Sequence, residues 1–167
     1  MLQMSDAFSG RAADAAGKDA PRAKKEPFVS MRVLIIDPDW QFLRQARDYL
    51  EQRGHVTVHE AEPAAALKRA EHWKPDLVLA SVELPPVSDG DLLQRLAHLQ
   101  PRPAILLTAG LDRFDRAWRA WQRGGDEVLF KPLLHPSELH VAIVTAMEAA
   151  VCPKRRNLAQ TSQKLSA

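Results

Sequence analysis

Residues 31–39 read Met31-Arg32-Val33-Leu34-Ile35-Ile36-Asp37-Pro38-Asp39: an apolar run, then two acids around a proline. The stretch Val33–Ile36 does not alternate, which is how a strand reads when helices cover both faces of its sheet. The same unbroken pattern returns at Leu77–Ala80, Ala104–Leu107 and Val128–Phe130. His55-Val56-Thr57-Val58-His59 does alternate, and reads as an edge strand with one wetter face. Between these runs lie stripes spaced by three or four residues: Phe42, Ala46 and Leu50; Ala66, Leu67 and Ala70; Leu92, Leu96 and Leu99. Two more follow, Phe114, Trp118 and Trp121, then Leu139, Ile143, Ala146 and Ala150. Each stripe predicts a helix with one buried face. Strand and helix alternate five times, which implies an α/β domain with a parallel, doubly wound sheet and right-handed crossovers.

Punctuation agrees with these elements. Pro63 and Pro136 suit first helical turns, where a missing amide is tolerated. Ser88 with Asp91 reads as a capping box for the third helix, and Asp112 as a cap for the fourth. Gly54 and Gly124 stand where a helix ends in a left-handed residue.

The composition bounds what such a domain can do. The chain has 167 residues, 46% hydrophobic and 26% charged, enough for one core without covalent staples. A single cysteine, Cys152, excludes an internal disulfide, and no Cys/His spacing suggests zinc. No apolar run is long enough to span a bilayer, and the start lacks a secretory pattern, so the reading is soluble and cytoplasmic. Residues 31–152 carry 14 basic and 17 acidic side chains, a net of −3, so the positive balance comes from the ends. That argues against a nucleic-acid reader. Residues 1–30 read as a disordered leader, 31–152 as the domain, and 153–167 as a basic, disordered tail. Met31 reads as an alternative translation start. Lys154, Arg155 and Arg156 read as a solvated tail.

In parallel sheets, sites form at the carboxyl ends of strands. There stand Asp37 and Asp39 after the first strand, Ser81 and Glu83 after the third, Thr108 after the fourth and Lys131-Pro132 after the fifth. With the stretches Val33–Asp37 (VLIID), Pro75–Pro85 (PDLVLASVELP), Ile105–Ala109 (ILLTA) and Gly124–Pro132 (GGDEVLFKP), this constellation resembles the receiver domain of bacterial response regulators, over about residues 31–150. The resemblance implies a flavodoxin/CheY-like fold with strand order 2-1-3-4-5. It also implies a site where two acids and a strand-three aspartate hold Mg²⁺, and where that aspartate takes a phosphoryl group from a histidine kinase. Asp37 then matches the first acid, Thr108 the switching hydroxyl, and Lys131 the lysine that pairs with phosphoryl oxygens. Lys131-Pro132 matches a pair whose bond is usually cis.

Several positions depart from that pattern. Ser81 stands at the phosphoacceptor position and Pro38 at the second acidic one. Proline also fixes the backbone that presents Asp39. Val128 stands where many members carry an aromatic relay, and the loop Leu84–Gly90 is one residue longer than usual. Glu83 lies beyond the strand and Asp76 at its wrong end, so neither replaces the acceptor. The expectation is a degenerate, stand-alone receiver: no enzyme, no cofactor, and weak or absent Mg²⁺ binding with Asp37 as the remaining metal candidate. It would act by protein–protein contact with a histidine kinase, an output protein or a second copy, without a membrane or nucleic-acid partner. The alternatives are a phosphorylatable regulator with atypical acceptor chemistry and a small anion sensor. Lys131 with Asp37 reads as a structural ion pair and Thr108 as a core-edge hydroxyl. His55 and His59 read as solvated, and Trp40 and Trp73 as covers for helix ends. Phe114 and Trp118 stand between core and interface, because periodicity alone cannot assign the outer edge of a stripe.

Overall fold

The computed structural model describes residues 29–85 and 91–152. The expectations for residues 1–28, for Ser88 and for the tail after Cys152 lie outside them. The chain runs β1 (Arg32–Ile36), α1 (Trp40–Glu51), β2 (Val56–His59), α2 (Pro63–Trp73), β3 (Leu77–Ser81), α3 (Leu92–Ala97), β4 (Ala104–Gly110), a 3₁₀ turn (Leu111–Arg113), α4 (Phe114–Arg123), β5 (Glu127–Lys131) and α5 (Pro136–Val151). The five strands pair in parallel in the order β2-β1-β3-β4-β5.

The three inner strands β1, β3 and β4 carry unbroken apolar runs, and every residue of them is buried except Arg32 and Gly110 at their ends. Successive side chains point to opposite faces, so Val33 and Ile35 join the cluster under α1 and α5, while Leu34 and Ile36 join the one under α2, α3 and α4. The alternating segment forms the edge strand β2, which is only partly covered. Gly54 and Gly124 take positive φ, and Pro63 and Pro136 open their helices. Lys74, which closes α2, adopts the left-handed conformation without being glycine.

Four expectations are corrected. Asp91 alone caps α3 among the described residues, accepting from the Leu93 amide. Asp112 does not cap α4: β4 runs on to Gly110 and the 3₁₀ turn takes up the next three residues, so α4 opens behind Arg113 with no side-chain cap. His55 is not solvated but only 7% exposed, with its Nδ1 accepting from the Met31 amide at 3.2 Å. Trp40 stands largely in solvent, at 68% exposure, whereas Trp73 does pack against the core.

The aromatic stripe of α4 is not its buried face. Ala117 and Ala120 face the sheet, while Phe114 is 60% and Trp118 48% exposed. Small side chains let this helix sit close to β4. The following Gly125 shows how close: a Cβ there would stand 2.5 Å from Leu107 Cδ1 and 3.1 Å from Trp121 Cα. The aromatics are displaced to the flank toward β5, where Phe114 stacks on Phe130 and Trp118 on Trp121.

Candidate functional site

The parallel register brings the strand-end residues onto one rim. Ser81 is paired with Thr108 across β3 and β4, and Gly110 with Lys131 across β4 and β5. Asp37 follows β1 directly and is 1% exposed. Its carboxylate accepts from Thr108 Oγ1 at 2.6 Å, from the Asp39 amide at 2.9 Å, and from Lys131 Nζ through both oxygens at 3.1 and 3.2 Å. A carboxylate offers about four lone-pair sites. All four are taken.

Lys131 is held from further sides. Its ammonium lies 3.6 Å from Asp39 Oδ2 and 5.4 Å from the centre of the Phe42 ring. Asp39 has a second task as N-cap of α1, its Oδ1 accepting from the Gln41 and Phe42 amides. Pro38 therefore leaves Asp39 beside the rim but commits it to the helix end. Ser81 is buried, and its Oγ accepts from the Glu83 amide at 3.2 Å. Glu83 points away from the rim to Arg113, at 3.6 Å, and Asp76 accepts from the Arg32 amide at the opposite end of the sheet. The Lys131-Pro132 bond is cis, and so is Gln100-Pro101, for which no expectation was formed.

These groups do not fit Mg²⁺. The cation needs several oxygens in octahedral array, and here one carboxylate is saturated by an ammonium and a hydroxyl, one caps a helix, and the third position is a neutral serine. Among the described residues no group of three or more Asp, Glu, His or Cys side chains could hold a metal. Val128 lies in the recess of Phe114, Trp118, Trp121 and Phe130, outside the acidic rim. Two members of the site's surroundings were not anticipated: Phe42 under Lys131, and His59, whose Nε2 lies 3.3 Å from the Asp37 carbonyl oxygen. The stripe had marked Phe42 as core, and only the register of β2 on β1 brings His59 there.

A five-stranded α/β sheet in this order, with acid, hydroxyl and lysine on its carboxyl rim, defines the receiver class. The model for the response regulator receiver domain matches residues 33–144, and the chain belongs to that family. It is 35% identical over 100 residues to the transcriptional regulatory protein KdpE of Mycobacterium tuberculosis, covering 60% of this chain and 44% of that protein. Over 140 residues it is 31% identical to the transcriptional regulatory protein PdtaR of the same species, covering 78% and 68%. The chain thus spans less than half of the length of KdpE. Among solved structures, NtrX from Brucella abortus in complex with ADP superposes with a TM-score of 0.66 at 19% identity, over 76% of this chain and 29% of that one. A receiver domain protein from Clostridium thermocellum does so at 0.61 and 24%, over 72% and 95%.

Proposed function

We propose that this chain is a receiver-like signalling domain of a two-component system that is not phosphorylated, has no catalytic activity and acts in the cytoplasm by binding protein partners. One observation carries the reading: every acceptor site of Asp37 is filled by Lys131, Thr108 and a backbone amide, beside a serine at the acceptor position. An internal ammonium thus stands where an ordinary receiver needs a free carboxylate for its metal. Transfer to an acceptor requires charge neutralisation around the moving phosphoryl, and the Lys131 ammonium is already committed to Asp37 and Asp39. What remains for signalling is surface, and the exposed pair Phe114 and Trp118 offers one: a partly apolar recess of about 370 Å³ between α4, β5 and α5. A kinase, an output protein or a second copy would dock there. No described helix is long and apolar enough to cross a membrane.

Incubation with acetyl phosphate and Mg²⁺, followed by intact mass measurement, is expected to leave the chain unmodified. Titration with Mg²⁺ while following the exposed Trp40 beside Asp39 is expected to show no saturable change below about 10 mM. Gain of a phosphoryl group, or a clear millimolar transition, would overturn the reading.

A further inference from the structure

Helix α4 has a second flank. At 100° per residue, Arg116, Arg119 and Arg123 fall within an arc of about 60°, on the side away from Phe114, Trp118 and Trp121. Arg113 joins them from the 3₁₀ turn. Together these four line a cleft of about 710 Å³ between α4, α3 and the end of β3, which also receives Leu84 and Leu92. Two of the four are engaged: Arg113 with Glu83 and Asp112, at 3.6 and 3.3 Å, and Arg123 with Asp91, at 3.3 Å. Arg116 and Arg119 are exposed and have no ion-pair or hydrogen-bond partner among the described residues. Two unpaired guanidinium forks over a partly apolar floor are a recognition element for carboxylates.

We propose that this cleft binds an acidic peptide segment of a protein partner, its carboxylates on Arg116 and Arg119 and its aliphatic side chains on the floor of Leu84 and Leu92. The proposal rests on the partner-binding reading above and gives that partner a chemistry. Charge complementarity favours a peptide over a nucleic acid. Asp91, Asp112 and Asp115 line the same cleft, and residues 31–152 carry a net charge of −3. A backbone with a phosphate at every step would meet those acids, whereas a peptide can place its carboxylates singly, opposite the free arginines.

The test uses the full chain and a short fluorescein-labelled peptide of alternating glutamate and leucine, read by fluorescence anisotropy. Saturable binding is expected, weakened at least about tenfold by Arg116→Glu with Arg119→Glu. It is expected to be unchanged by Arg44→Glu with Arg47→Glu on α1, which packs on the other face of the sheet. All four positions are exposed, and matched melting curves exclude a folding effect. Absence of saturable binding, equal loss in both double variants, or an oligothymidine strand that competes with the peptide in an arginine-dependent way would each overturn the proposal. Phosphorylation by acetyl phosphate would instead bring down the functional reading and leave the arginine dependence standing, so the two failures are separable.

Discussion

Asp37 is the residue on which the rim depends. Buried and bound by an ammonium, a hydroxyl and an amide, it joins β1, β4 and β5. Removing one partner of such a pair strands the other without solvent, whereas replacing both with apolar groups can be nearly neutral. Lys131→Met alone is therefore expected to cost about 3–5 kcal/mol, and Asp37→Leu a similar amount. The double variant should lose less than either single one in denaturant unfolding. Additive losses would show that the two side chains do not stabilise each other. Asp37, Thr108 and Lys131 were legible in the sequence because each interrupts or ends an apolar run, and strand ends converge in a parallel sheet. The double duty of Asp39 was not, since a helix cap depends on the local φ and ψ. His55 was missed for a related reason: alternation places it at an edge, but the amide from which it accepts, that of Met31, stands just before the neighbouring strand.

At the scale of elements, the stripes of α1, α2 and α5 marked their buried faces: Phe42, Ala46 and Leu50, then Ala66, Leu67 and Ala70, then Leu139, Ile143 and Ala146 are all buried. Helix α4 broke that rule. Its aromatics lie at helical spacing, yet two alanines and the following Gly125 set how closely it approaches β4, so the stripe is left on the flank. A pattern of hydrophobicity says which residues share a side, not which side a close-packed helix turns inward. The consequence is measurable at Trp118. A core tryptophan would cost about 3–5 kcal/mol on truncation. Half-exposed and stacked on Trp121, Trp118→Ala is expected to cost under about 1 kcal/mol. It should also abolish self-association or capture of a partner, since exposed aromatics of this kind act as interface anchors. Sedimentation and thermal melts on one sample separate the cases. A large loss of stability with unchanged association would return Trp118 to the core.

Across the whole molecule the two ends of the sheet are built by different rules. The carboxyl end gathers charged side chains around Asp37. At the amino end, the residue before a strand caps its neighbour's backbone: His55 before β2 accepts from Met31, Asp76 before β3 from Arg32, and Asp126 before β5 from Ile105. The alternation of strands and helices was readable from the runs and stripes, and the strand order came with the receiver resemblance, but this capping scheme is a product of register and left no mark in the pattern. Two of the three caps are carboxylates, and the third is a histidine that must offer a lone pair on Nδ1. Burial, then the nearby Arg53 and His140, hold the His55 pKa below its ordinary value. Tyr49 and Glu148 line the same small recess. With the folded-state value lowered, the unfolded chain binds the proton first. Stability from this group is thus complete above about pH 6.5 and declines as the pH falls through that value, until the folded form also titrates. Glu51, held below the usual carboxylate range by Thr57 and Arg47, acts only in a more acidic window. The melting temperature is therefore expected to fall between about pH 7.5 and 5.5. His55→Asn, whose amide oxygen can take the place of Nδ1 toward the Met31 amide, should flatten that decline while keeping most of the stability at the higher pH. A variant that melts with the same pH slope as the parent would show that the decline comes from another histidine, and that the cap at the start of β2 is not the titrating group.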